Sequence, residues 1–99
     1  MSRISVKQED NTTTITVQGD FVFDVNREFR DAYQASPPTN AFVVDLKDTA
    51  YMDSAGLGML IQLRDFAGGQ AASIRLVGLN DTIRTILNVA NFSRLFELG

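Results

Sequence analysis

The spacing of apolar residues changes several times along the chain, and each change marks another secondary-structure element. Ile4 and Val6 alternate with polar residues, as do Ile15 and Val17, which predicts two half-buried strands. The polar residues 9–11 between them are typical of a hairpin turn. We therefore expect the chain to begin with two antiparallel strands.

The next segments predict a helix and then a buried strand. Apolar residues at positions 25, 29, 32 and 33 share one helical face, and Asp24 is predicted to cap the first turn. Two prolines within residues 36–40 should end this helix. Residues 41–46 are almost continuously apolar and rich in β-branched side chains, which predicts a central strand covered on both faces.

The second half of the chain continues the alternation of helices and strands. A mostly buried helix is predicted to start at Asp53 or Ser54 and to stop at the glycines 68–69. Residues 72–78 are predicted to form another strand. The last helix, capped by Asn80 or Asp81, and the tail carry apolar residues that should close the core: Ile83, Ile86, Leu87, Ala90, Phe92, Leu95, Phe96 and Leu98. Strands linked by helices of this length indicate parallel crossovers, with helices mainly on one face of a mixed sheet.

Two glycines in the opening turns of the second helix need a separate explanation. Gly56 and Gly58 each cost a helix about 0.8–1.0 kcal/mol relative to alanine. Either a neighbouring backbone packs closely there, or the start of the helix is kept bare so that a partner or an anion can approach.

The segment from Tyr51 to Gly58, Tyr-Met-Asp-Ser-Ala-Gly-Leu-Gly, closely resembles the signature of anti-sigma factor antagonists, the bacterial STAS-domain family. The order of the predicted elements is similar to that family over nearly the whole chain. The resemblance implies an α/β fold with a STAS-like mixed sheet, and one STAS domain over residues 1–99. It also implies that Ser54 is phosphorylated by a serine kinase, often the anti-sigma factor itself, and dephosphorylated by a phosphatase.

By the same resemblance, a partner-binding surface should surround Ser54 and include the loop after the second strand. A phosphate at a helix N-terminus adds about −1.5 to −2 charges beside unpaired amides, so the fold should tolerate it while a partner packed over Ser54 is released. Phe21 and its neighbours can contact a partner or fill the core, and the core is the more frequent fate. The predicted partner-binding residues are Asp20, Phe21, Asp24, Met52, Asp53, Ser54, Gly56 and Leu57.

Composition excludes several other functions. A net charge of −3 without a run of basic residues argues against nucleic-acid binding. Histidine and cysteine are absent, which removes Ser-His and Cys-His nucleophiles and the usual zinc ligands. We expect no cofactor, no metal and no enzymatic activity. With neither a signal core nor about 18 consecutive apolar residues, the sequence predicts a cytoplasmic protein that does not insert into membranes.

Other interpretations remain open at this stage. From local physics alone, Ser54 is an ordinary helix cap, and only the resemblance makes a regulated serine the better interpretation. A constitutive STAS adaptor subunit of a transporter or signalling complex is the main alternative function. An enzyme using only carboxylates (Asp20, Asp24, Asp45, Asp48 and Asp53) is much weaker because no acid–base pair with a stated geometry can be named. The order of the elements and the absence of a late, isolated lysine after a strand argue against a receiver-like phosphorylation of Asp45.

Overall fold

The chain folds into one five-stranded sheet and three α-helices in a computed structural model that describes residues 3–99. The strands are β1 (Ile4–Glu9), β2 (Thr12–Gln18), β3 (Ala41–Asp48), β4 (Ile74–Val77) and β5 (Glu97–Leu98). The helices are α1 (Asn26–Gln34), α2 (Ser54–Phe66) and α3 (Asp81–Val89), and three short 3-10 turns lie at Phe23–Val25, Gly69–Ala71 and Phe92–Arg94.

The strands lie in the sheet in the order in which they occur in the chain. β1 is antiparallel to β2, whereas β2, β3, β4 and β5 run parallel to one another. The turn between β1 and β2 places Asp10 at φ 52° and Asn11 at φ 66°, a conformation that these two residue types tolerate well. The predicted hairpin, the mixed sheet and the central position of β3 are confirmed.

The core lies on one face of the sheet. In β3, Phe42, Val44 and Leu46 are buried, while Ala41 and Val43 on the opposite face are partly exposed. The prediction that β3 is covered on both faces is therefore wrong, and the prediction of helices mainly on one face is confirmed. The buried face is covered by apolar side chains of all three helices: Phe29, Ala32, Tyr33, Met59, Leu60, Leu63, Ile83 and Leu87.

The start of α1 differs from the prediction. A 3-10 turn at Phe23–Val25 precedes the helix, and neither the turn nor α1 has a side-chain cap. Asp24 lies inside this turn and is not the predicted cap. The reason is local geometry, since a cap needs an extended backbone and Asp24 is already turned.

The apolar tail contains more structure than its pattern predicts. Phe92 and Phe96 are buried and their ring centroids lie 5.3 Å apart, which confirms that the tail closes the core. Leu95, in contrast, is 37% exposed. The last residues form β5, which pairs with β4. No helix between residues 3 and 99 has both the length and the apolarity to cross a bilayer.

Candidate protein-binding site

The candidate site lies at the edge of the sheet where the parallel strands β2, β3 and β4 reach their carboxyl ends. The loops 19–22, 49–53 and 78–80 leave the sheet at this edge, and the last two lead directly into α2 and α3. The topology thus brings together residues from three distant parts of the sequence, including Ser54 at the start of α2.

Hydrogen bonds join the first two loops. The Gly19 amide donates to the Asp48 carbonyl at 3.1 Å, and the Phe21 amide donates to the Tyr51 carbonyl at 2.9 Å. Phe21 and Met52 form an isolated parallel bridge. The segment before α2 is therefore paired, almost like a strand, with the segment before α1.

The same segment is also fixed to the sheet and to α3. The Thr49 hydroxyl, which is buried, donates to the Val17 carbonyl at 3.0 Å. The Asn80 side-chain amide donates to the Thr49 carbonyl at 2.9 Å, while the Asn80 Oδ1 atom accepts from the Ile83 amide at 2.8 Å and caps α3. The loop that carries Ser54 is consequently held on both sides.

Asp53, rather than Ser54, caps α2. Its Oδ1 atom accepts from the Gly56 amide at 3.0 Å, and its carbonyl accepts from the Leu57 amide at 3.2 Å. Ser54 is the first helical residue and is exposed, and its hydroxyl makes no hydrogen bond within residues 3–99. The capping interpretation therefore applies to Asp53, and the Ser54 hydroxyl has no role in holding the helix.

The two glycines of α2 have different surroundings. A Cβ atom at Gly56 would lie 2.3 Å from the Phe21 carbonyl oxygen, closer than packed atoms can approach, and in a tight contact of 3.1 Å with the Met52 Cβ. Among residues 3–99, a Cβ atom at Gly58 would meet no atom within 4 Å. Close backbone packing thus explains Gly56, whereas no contact in the described part of the chain requires Gly58.

Three residues predicted to contact a partner are buried. Phe21 is 0% and Met52 1% exposed, and the Phe21 ring packs edge-on against Phe29 with centroids 4.9 Å apart. Gly56 is covered by Phe21. The bridge between the two loops turns the Phe21 and Met52 side chains into the core, and the prediction that these three residues contact a partner directly stays a prediction. They support the site from beneath.

The remaining predicted residues lie at the surface. Asp20, Asp24 and Ser54 are exposed, and Asp53 and Leu57 are partly buried. The aromatic residues that are exposed at this edge are Phe23, at 67%, and Tyr51, at 49%. Both lie within segments that the sequence singled out, but the pattern alone could not show which aromatic side chains point outward.

Two shallow cavities flank the segment that carries Ser54. One, of about 220 Å³, lies between the 3-10 turn and α2 and is lined by Phe23, Asn26, Ala55, Gly58, Met59 and Gln62. The other, of about 400 Å³, lies beside α3 and is lined by Tyr51, Asp81, Thr82, Thr85 and Ile86. Along the chain, Ser54 falls between Tyr51 of the second cavity and Ala55 of the first.

The edge is acidic. Five aspartates lie on its loops, strand ends and helix starts: Asp20, Asp24, Asp48, Asp53 and Asp81. Within residues 3–99 none of the five forms an ion pair. The basic residues at the same edge are fewer: Arg3, Arg27, Lys47 and Arg84. A surface of this charge attracts groups that carry positive charge.

Comparisons with known proteins agree with this architecture. A family model described as "Mlab, STAS domain" matches residues 4–97. A STAS-domain containing protein of Pseudomonas aeruginosa is 45% identical over 87 residues, which cover 87% of this chain and 86% of the relative.

Solved structures share the fold at much lower identity. An anti-sigma factor antagonist from Mycobacterium paratuberculosis has a TM-score of 0.79 and 20% identity, covering 96% of this chain and 82% of that one. Unphosphorylated SpoIIAA of Bacillus, an anti-sigma factor antagonist that has also been solved in phosphorylated form, has a TM-score of 0.72 and 14% identity over 97% and 86% of the two chains. A sulfate transporter family protein from Wolinella succinogenes has a TM-score of 0.75 and 16% identity over 90% and 78%.

Proposed function

Since the chain belongs to the STAS-domain family, we propose that it is an anti-sigma factor antagonist controlled by phosphorylation of Ser54. Unphosphorylated, it binds an anti-sigma factor or a related kinase-like regulator and thereby frees a sigma factor. Phosphorylated by a serine kinase, it releases that partner, and a phosphatase restores binding. In this role the protein acts by binding and not by catalysis.

The observation that carries the proposal is that the fold does not use the Ser54 hydroxyl. Asp53 makes the capping bond, and the Ser54 side chain is exposed without a hydrogen bond in residues 3–99. A kinase can therefore reach the hydroxyl without unfolding the helix, and its modification removes no interaction of the fold.

A phosphate on Ser54 would act mainly outside the domain. The amides of Ser54 and Ala55, in the first turn of α2, make no hydrogen bond within the described part of the chain. These amides and the positive end of the helix dipole favour an added dianion. We therefore expect phosphorylation to leave the stability of the domain unchanged or slightly higher.

Partner release follows from desolvation. A surface packed over Ser54 would have to strip water from a phosphate that carries about −1.5 to −2 charges. A charge buried without a partner costs about 3–5 kcal/mol, which corresponds to a loss of affinity of roughly 100-fold or more. Phe23 and Tyr51, exposed near Ser54, can supply the apolar contacts that such a partner would cover.

The first test is phosphopeptide mapping of the protein isolated from its own cells, with and without stress. Partial phosphate on Ser54 is the expected result. Copurification should then recover a partner with Ser54→Ala and much less of it with Ser54→Asp. Ser73→Asp is a matched control because Ser73 is exposed at the other end of β4, and it should bind normally.

Two results would contradict the proposal. One is an absence of phosphate on Ser54 under every condition. The other is a quantitatively phosphorylated protein that binds the recovered partner as tightly as Ser54→Ala does. Phosphoprotein is needed for this comparison, since aspartate carries only about half the charge of the phosphate.

The second candidate function is a constitutive adaptor in a transporter or signalling complex. The similarity in fold to a sulfate transporter family protein favours keeping it, although at 16% identity it concerns the fold alone. In that case Ser54 would never be phosphorylated, and the protein would copurify in detergent with a membrane ATPase, whatever residue stands at position 54.

A further inference from the structure

We propose that the cavity between Tyr51 and α3 is a second part of the partner-binding surface, and that it receives an apolar side chain flanked by a lysine or arginine of the same partner. This inference rests on the proposed function, because the partner is the protein whose binding Ser54 controls. It extends the surface from the start of α2 onto the outer side of α3.

Tyr51 is an exposed aromatic residue on a rigid support. Its backbone carbonyl accepts from the Phe21 amide at 2.9 Å, and the neighbouring Met52 is buried. Its side chain is 49% exposed and makes no hydrogen bond within residues 3–99. An aromatic side chain with a polar tip, held in place before binding, is the kind of residue that contributes most at interfaces.

The partner-binding surface continues onto the outer side of α3, where four uncharged residues follow one another along the helix. Thr82, Thr85, Ile86 and Val89 are spaced at i, i+3, i+4 and i+7, so they form one stripe along the helix. Val89, at the far end of that stripe, is 79% exposed. Ile86 is partly buried and also packs against the core, whereas Thr82, Thr85 and Val89 are exposed and the core does not account for them. The centre of a protein interface is typically depleted of charged residues in this way.

The charge around the cavity identifies the chemistry of its occupant. Asp81 lines the cavity, is exposed and forms no ion pair among the described residues, and no basic residue lines the cavity. The Asn80–Thr49 hydrogen bond holds this helix start beside the β3–α2 loop, which follows Asp48 at the end of β3 and ends at Asp53. An occupant with a positive group beside its apolar one fits these acids, whereas a second copy of the same acidic edge would be repelled.

The experiment uses the full chain with Ser54→Ala and the partner that this variant recovers. In that background Thr85→Arg places a long charged side chain in the cavity, and Tyr51→Ser removes the aromatic ring. Thr39→Arg is the matched control, since it makes the same change at an exposed position of the loop before β3, at the opposite edge of the sheet. We expect at least a tenfold rise in the Kd for Thr85→Arg and for Tyr51→Ser, and less than a twofold change for Thr39→Arg.

Cross-linking gives an independent measurement. A photoreactive residue at position 85 should attach to a partner peptide that contains a lysine or arginine beside an apolar residue. The same group at Thr14, on the opposite face of the sheet, should attach to none. Melting curves of each variant show whether it is folded.

The outcomes separate the two proposals. If Ser54→Ala binds its partner and Thr85→Arg binds it with the same Kd, the cavity is not part of the interface, while the proposed function stands. If Ser54→Ala recovers no partner and Ser54 carries no phosphate, the proposed function fails and this inference fails with it.

Discussion

The two glycines of α2 allow a matched test of how the site is built, because the same change at Gly56 and at Gly58 should have opposite effects. Both lie in the first two turns of one helix. An alanine at Gly58 would meet open space, whereas an alanine at Gly56 would place its Cβ atom 2.3 Å from the Phe21 carbonyl oxygen.

The magnitudes follow from these distances. At an exposed helical position alanine is favoured over glycine by about 0.8–1.0 kcal/mol, and Gly58→Ala should stabilise the domain by about that amount. Gly56→Ala has the same gain in propensity, but the atom it meets is backbone and cannot move aside as a flexible side chain would. Overpacking typically costs about 1–3 kcal/mol, and a contact this short lies at or above the upper end, so we expect a net loss of about 1–2 kcal/mol or more.

Urea denaturation followed by circular dichroism measures both changes as shifts of the unfolding midpoint at constant m-value. In thermal melts a change of 1 kcal/mol corresponds to about 4–8 °C for a domain of this size. Two alanine variants of equal stability, or a Gly56→Ala protein that is more stable than the parent, would refute the close approach of Phe21 to α2. If the Gly58→Ala protein is more stable and yet binds the partner less well, then the partner requires the absence of a side chain at position 58.

Two further predictions concern residues beneath and beside the site. Asn80→Ala removes both the cap of α3 and the hydrogen bond to the Thr49 carbonyl, so unfolding by urea should show a loss of about 1–2 kcal/mol. Burial raises the pKa of Tyr33, which Arg30 lowers and Asp65 raises to smaller extents. The unfolded chain then loses the tyrosine proton at lower pH than the folded one, so stability should fall as the pH rises above about 10. Tyr33→Phe should reduce the fall of the urea unfolding midpoint between pH 8 and pH 11. An unchanged fall would contradict the assignment of this pH dependence to Tyr33.

Periodic patterns were sufficient to predict most of the fold. The alternation in β2 and the spacing of Ile83 and Leu87 in α3 each bury one face of an element, so each leaves a repeating signal in the sequence. The continuous apolar run was enough to predict β3, but not that only one of its faces is covered. β5 has only two residues and leaves no repeat. The 3-10 turn before α1 is also too short for a period, so the pattern predicts a cap at Asp24 that the structure does not contain.

The site was harder to predict, because contacts between distant segments decide which side chains point outward. Phe21 and Phe23 have the same chemistry and lie two residues apart, but the bridge to Met52 buries the first, and the turn that follows exposes the second. The low helix propensity of glycine marks position 56 as unusual in the sequence. The reason for the glycine, the Phe21 carbonyl oxygen 35 positions earlier in the chain, is visible only in the structure.

The acidity of the edge constrains how phosphorylation can release a partner. A partner that binds five aspartates must bring positive charge, and a phosphate on Ser54 would strengthen that attraction at a distance. Screened by water, such attraction is worth about 1 kcal/mol for a pair of unit charges 4 Å apart, whereas burying an unpaired charge costs several kcal/mol. Release therefore requires that the partner surface directly over Ser54 be closed and apolar, with its basic groups placed around it. Under the proposed function, the phosphorylated protein would then still attract a basic partner but would not complete the tight contact.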